Sequence, residues 1–275
     1  MVNGMGVSKA LVSSYDRPYS GAKGDQMGLE PFELAAIAAV YMLAGAVKGA
    51  IGLGLPTVSM AMLGVWLPVE QAAAILVLPT FLTNIWQSLA GGTLLSLLVR
   101  LWPMLVCLVA GTVLTVGIMT GVNSALTGAF LGAILTIYAG LSLVGFNITV
   151  PRRAEPVLGP AAGMTTGLIT GVTGIFVIPA APYVQALALG KDEFVQAIGI
   201  IALIASAALA LGLGVNDSLD TDVLIPGSVA VVAAFGGMYM GQAIRARLSV
   251  EVFRYWILIG LAALGGMMIV RAIWS

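Results

Sequence analysis

The stretch "GAVKGAIGLGLPTVSM", residues 45–60, decides how this chain folds. Lys48 stands in an otherwise apolar run, and helix-breaking residues follow it at once: Gly49, Gly52, Gly54 and Pro56. The surroundings are of membrane grade. The 275 residues are 60% hydrophobic and 9% charged, with a mean hydropathy of +1.05. Soluble domains carry about 25% charged residues, so a soluble globular fold is excluded. Apolar runs recur from residue 31 to residue 274 without the alternation of an outer-membrane barrel. The expected fold class is therefore an all-α polytopic protein of the lipid bilayer.

Composition also removes several functions. The net charge is zero, which gives no electrostatic pull towards nucleic acid. The chain has no histidine, and with it go Ser–His and Cys–His nucleophilic pairs, His-ligated zinc and the HExxH proteases. No catalytic residue, metal or cofactor is expected. Cys107 is the only cysteine and sits in an apolar run, so no intramolecular disulfide forms. Residues 1–29 are polar and glycine-rich, lack a signal-peptide layout, and read as a tail outside the membrane.

Ten apolar segments follow, near 31–50, 56–67, 69–90, 101–121, 124–146, 158–174, 179–190, 194–214, 223–243 and 252–273. Segments 56–67 and 179–190 are too short to cross a hydrocarbon core of about 30 Å. Each follows a glycine-rich break and begins at a proline, Pro56 or Pro179, a favoured first helical residue. The two places are alike. "GAVKGAIGLGLP" aligns with "GLITGVTGIFVIP", pairing Gly45 with Gly167, Gly49 with Gly171, Gly52 with Gly174 and Pro56 with Pro179. Downstream, Gln71 pairs with Gln196. The expected organisation is an external tail (1–29), a first transmembrane repeat (30–146), a cytoplasmic linker (147–157) and a second repeat (158–275). Each repeat holds an odd number of segments, so the two copies are inverted.

Orientation follows from basic residues beside the segment ends. With Arg152 and Arg153 of the linker in the cytoplasm, Arg100, Lys191, Arg245, Arg247 and Arg254 fall on the same side. Both termini then lie outside, and "NDSLDTD" (216–222) reads as a solvated outer loop. Arg271, near the outer end, does not fit this bias. Whether segments 31–50 and 158–174 cross fully or turn back is left open, although the short returning arms favour re-entrant hairpins.

Inverted repeats with a Gly/Pro-interrupted short segment in each point to a secondary transporter with its site near the midplane. A helix that starts inside the membrane exposes unpaired N–H groups and the positive end of its dipole, which suit an anion. Two such starts, at Pro56 and Pro179, are expected to converge on one pocket. Thr57, Ser59, Thr170 and Thr173 add hydroxyls beside the breaks. Lys48 lies about 26 Å along its segment at 1.5 Å per residue, at or beyond mid-membrane. Every Asp and Glu falls at a segment end or in a loop, so an anionic substrate is the available partner. The competing reading has Lys48 snorkelling to the interface as an anchor. Thr80, Thr83, Asn84 and Gln87 form a polar stripe at helical spacing on 69–90, whereas 194–214 offers only Gln196 and Ser206.

"AGAVKGAIGLGLPTVSMAMLGV" and "TGLITGVTGIFVIPAAPYVQALALG" resemble the two glycine-rich, proline-terminated segments that head the halves of the TauE/SafE family of sulfite and organosulfonate exporters. The resemblance covers about residues 32–273 and implies outward secondary transport of a small sulfur-containing anion across the cell (inner) membrane. It places Lys48, Gly49, Gly52, Gly54 and Pro56 at a first half-site and Gly171, Gly174 and Pro179 at a second. The second copy, reading "GIFVIP", departs from the richer glycine run of many members. The expected function is alternating access between inverted repeats, with a proton, sodium or the anion gradient itself as driving force. A channel or carrier for another small anion or solute, and a non-transporting membrane subunit, are the alternatives. Oligomerisation is left open.

Overall fold

The computed structural model describes residues 31–90, 92–121, 124–144, 149–216, 218, 221–245 and 250–274. The expected tail 1–29, Arg247 and part of the 216–222 loop lie outside the described residues. Among those described there are ten α-helices and no strand. In chain order they are α1 (Pro31–Ile51), α2 (Leu55–Leu63), α3 (Val69–Leu89), α4 (Leu94–Gly121), α5 (Ser124–Val144), α6 (Glu155–Thr173), α7 (Ala180–Ala186), α8 (Lys191–Val215), α9 (Leu224–Arg245) and α10 (Val250–Trp274). Helix α6 begins at Glu155, inside the stretch read from sequence as linker.

Seven helices are long and apolar enough to cross a membrane: α1, α3, α4, α5, α8, α9 and α10. Two of the remaining three, α2 and α7, are the short segments expected after the breaks. The third, α6, has 19 residues but is rich in glycine and threonine. A helix sheathed by protein need not be lipophilic, and α6 lies along α4 with Gly163, Gly167 and Gly171 turned inward. Apolar side chains that point outward, such as Trp102, Leu114, Val232 and Trp256, supply the lipid-facing surface.

Helices α3 and α8 form the centre; 61% of the membrane-spanning window of each is buried, against 28% for α5 and 22% for α10. Around them α1 packs on α9, α6 on α4, and α5 on α10, while α9 also touches α3 and α4 also touches α8. The closest of these contacts depend on glycine. A Cβ at Gly45 would run into the Ala234 carbonyl, and one at Gly49 into the Met238 carbonyl. Facing them, Gly237 and Gly241 lie against the carbonyls of Met42 and Ala46. This is small-xxx-small packing, in which backbones touch and dispersion and Cα–H···O contacts replace the hydrophobic drive that lipid cannot supply.

The breaks have one local cause. Helix α1 stops because Gly52 turns left-handed (φ 85°), its N–H bonding the Lys48 carbonyl at 2.7 Å. Helix α6 stops in the same way at Gly174 (φ 71°), whose N–H bonds the Thr170 carbonyl at 2.8 Å. Both are left-handed helix ends of the kind glycine permits. Gly54 (φ 109°) then starts α2, with Pro56 in the first turn, and Pro179 precedes α7.

Two adjacent glycines of α9 should behave oppositely. A Cβ at Gly236 meets nothing within 4 Å, whereas one at Gly237 overlaps the Met42 carbonyl of α1. Gly236→Ala is expected to be neutral or stabilising by up to about 1 kcal/mol. Gly237→Ala should destabilise by about 1–3 kcal/mol through overpacking. Thermal unfolding of the purified protein in detergent checks this; equal melting temperatures would contradict the α1–α9 contact.

Candidate functional site

Lys48 projects from the last turn of α1 and is only 5% exposed. Its Nζ donates to Asn84 Oδ1 at 2.6 Å and to Thr83 Oγ1 at 3.0 Å. Both acceptors lie on α3, where the 80–87 stripe turns inward: Thr80, Thr83, Asn84 and Gln87 are all buried. The stripe hands the charge to backbone. Thr83 donates its hydroxyl to the Pro79 carbonyl at 2.7 Å, and Asn84 Nδ2 donates to the Thr80 carbonyl at 2.7 Å. The Thr83 and Asn84 oxygens are thereby aimed at the ammonium. Among the described residues no carboxylate pairs with it; Glu155, at the start of α6, pairs instead with Arg100 of α4. Lys48 is therefore a buried amine held by neutral groups. Its low exposure does not fit a lysine reaching interfacial water.

One helical turn further along α3, Gln87 holds the break itself. Its Nε2 donates to the Gly52 carbonyl at 3.3 Å and to the Val195 carbonyl of α8 at 2.9 Å. Gln196 answers from α8: its Nε2 donates to the Ser88 carbonyl at 2.7 Å, and its Oε1 accepts from the Thr93 hydroxyl at 2.8 Å. The structure thus brings together Lys48, Gly52, Asn84 and Gln87 of the residues expected from sequence. Thr83 and Gln196 join them. Thr83 was legible in the stripe. The signal for Gln196 was an amide standing alone in an apolar run.

Other expected residues have different roles. Gly49 serves the α1–α9 contact, and Gly171 packs against Thr112 and Thr115 of α4. In α2, Ser59 turns back to the Leu55 carbonyl at 2.7 Å, while the buried Thr57 hydroxyl has no hydrogen-bond partner. Thr80 on α3 likewise has a buried hydroxyl without a partner. Around the second break the hydroxyls close on their own chain. Thr170 donates to the Thr166 carbonyl at 2.7 Å and the Ile175 carbonyl at 3.2 Å, and Thr173 accepts from the Ile175 N–H at 3.2 Å.

The two breaks lie at different levels along α3. Gly52 lies by Gln87, near the end of α3, whereas a Cβ at Gly174 would touch Ala73, near its start, and Met60 of α2. The stretch 73–87 is about 21 Å of helix at 1.5 Å per residue. Thr170, Gly171, Thr173 and Gly174 are thus remote from Lys48, and Pro179 follows them ahead of α7.

A double-substitution cycle tests the Lys48–Asn84 contact. Asn84→Leu alone leaves a buried ammonium short of an acceptor and should cost about 2–3 kcal/mol. Adding Lys48→Met removes the charge, so the pair should be more stable than Asn84→Leu alone. Thermal unfolding reads this; a double variant no more stable than Asn84→Leu would show that the contact does not carry the charge.

No curated protein and no solved structure matches the chain. Residues 37–268 match the family model of the sulfite exporter TauE/SafE, spanning α1 to α10 and including both breaks. With seven candidate spans and that match over most of its length, the chain is a multi-pass membrane protein of the TauE/SafE family, a family of transporters rather than enzymes whose description implies sulfite or organosulfonate export.

Proposed function

We propose that the chain exports a small sulfur-containing anion, sulfite or an organosulfonate, by alternating access, and that Lys48 is the fixed positive charge that selects it. The observation that carries this is the Lys48 ammonium, buried and hydrogen-bonded only to the neutral Thr83 and Asn84. An unpaired charge in a membrane interior costs about 2.5–3.5 kcal/mol on insertion scales. An arriving anion offsets that cost, and Asn84 and Thr83 hold the lysine meanwhile. Amides at the α2 start, between Gly54 and Thr57, add donors that no intrahelical carbonyl uses. The unpartnered Thr57 and Thr80 hydroxyls are further candidate donors.

The helix pairings support the reading of two inverted repeats, 30–146 and 158–275. Moving five helices along the chain exchanges the α1–α9 contact with α6–α4, and α3–α9 with α8–α4. It leaves α3–α8 and α5–α10 in place. Gly52 and Gly174, aligned in sequence, end their helices with the same left-handed turn. The breaks lie near opposite ends of α3, as gates facing opposite sides would. A proton or sodium gradient, or the anion's own, drives the cycle.

Transport into proteoliposomes tests the lysine. At matched protein content, Lys48→Gln should cut sulfite flux at least about tenfold, the loss of one charge-assisted hydrogen bond. Lys48→Arg should restore little, because its planar fork needs more room than a compact ammonium. Wild-type flux from Lys48→Gln would make the lysine an anchor and remove the site.

Orientation is the second expectation. Arg100 and Arg152 line one cavity and Lys191 is the first residue of α8, and this clustering of basic residues supports a cytoplasmic linker with both termini external, in the inner membrane. A reporter fused after residue 275 should read external; a cytoplasmic signal would reverse the orientation.

A further inference from the structure

A second charged site lies on the face that carries the 149–155 segment, away from Lys48. There the starts of α4 and α6 and the side of α7 enclose a cavity of about 330 Å³. Its polar lining is Arg100, Arg152, Glu155 and Tyr183; Leu101, Met104 and prolines make the apolar wall. The charges are not equivalent. Arg100 grips Glu155 with both ends of its fork, Nε to Oε2 at 2.9 Å and Nη2 to Oε1 at 2.7 Å. That pair neutralises itself. Arg152 is exposed, with Glu155 in electrostatic reach but no ion pair to it. The lining therefore carries one positive charge in excess.

Size and position identify what that charge receives. A single water needs roughly 10–15 Å³ of cavity space, so a cavity of about 330 Å³ exceeds what a lone small oxyanion requires and has room for a headgroup. Trp102 and Val157, beside the cavity-lining residues, are exposed, so the mouth opens where apolar surface meets the basic segment. Basic pockets between membrane helices at such an interface hold anionic lipid headgroups. We propose that this cavity seats a phosphate-type oxyanion, presented by an anionic lipid headgroup, with Arg152 as its cation and Arg100 Nη1, the guanidinium nitrogen that Glu155 does not take, as a further donor. The bound group touches Tyr183 of α7, whose far end is already tied to the 149–155 segment by the Val150 N–H on the Ala186 carbonyl at 2.8 Å. Lipid occupancy thus braces the second short helix against α4 and α6.

The test uses the purified full-length chain in detergent, titrated with phosphatidylglycerol, phosphatidylcholine or soluble glycerol phosphate while thermal unfolding is followed. Phosphatidylglycerol should raise the melting temperature saturably and phosphatidylcholine should not. Arg152→Gln should weaken the apparent phosphatidylglycerol affinity about tenfold, as expected for a charge-assisted contact. Arg153→Gln, at a residue that does not line the cavity, should leave that affinity unchanged. Lys48→Gln should also leave it unchanged, which separates this site from the transport site. If glycerol phosphate stabilises as well as the lipid and through Arg152, the oxyanion site stands and its source is soluble. Equal shifts with both lipids, or equal losses from Arg152→Gln and Arg153→Gln, would overturn the proposal.

Discussion

Inside a bilayer no water meets a stray backbone group, so every interruption of a helix has to be satisfied by protein. That constraint organises this molecule, because α1 and α6 both end in left-handed turns followed by non-helical backbone. Each interrupted helix lies against a sheath, α9 on α1 and α4 on α6, and the contacts are close because glycines face carbonyls across them. At the first break Gln87 takes the Gly52 carbonyl. At the second, Thr170 and Thr173 take the carbonyl and N–H of Ile175. The glycine spacing, the polar side chains at the breaks and the pairing of helices answer the same requirement.

The halves meet it with different chemistry. Lys48 and Thr170 occupy corresponding places, each lending its carbonyl to the glycine that ends the helix. The Lys48 side chain reaches outward to α3, which presents Thr83 and Asn84. The Thr170 hydroxyl folds back on its own turn. Helix α8 runs "IIALIASAALALGLG" through its middle and end, offering no comparable stripe. Among the described residues, the buried polar and charged side chains of the second half include no counterpart of Lys48.

The short helices are fastened at the ends remote from the breaks. Beyond α2, Arg271 of α10 donates to the Val65 carbonyl at 2.6 Å, which gives the basic residue that did not fit the charge bias a structural role. Beyond α7, the Ala186 carbonyl is held by the Val150 N–H. The first break, by contrast, is held to the central helices by the side-chain amide of Gln87, which spans Gly52 and Val195. Any rearrangement of the α1–α2 corner relative to α8 has to exchange those bonds. Such exchange between polar partners costs far less than exposing apolar core or unpaired backbone to lipid.

The sequence by itself determined the all-helical membrane character, the two glycine breaks and the short helices after them, and it placed the segments, although α4 begins at Leu94 rather than at residue 101. These depend on composition, hydrophobic run length and the φ freedom of glycine, all local properties. It also marked Lys48 and the 80–87 stripe, since a lysine and four polar residues at helical spacing stand out in an apolar chain. Only the tertiary structure decided that the lysine and the stripe meet, because α9 packs on both α1 and α3 and the Lys48 side chain reaches across to Thr83 and Asn84, which no local rule dictates. It also set the two breaks at different levels along α3, which the aligned motifs do not show. Aligned motifs report equivalent local turns, but how deep each turn sits depends on how α1 and α6 slide against α9 and α4. That offset is set by glycine–carbonyl contacts between distant segments, which no periodicity within one segment encodes.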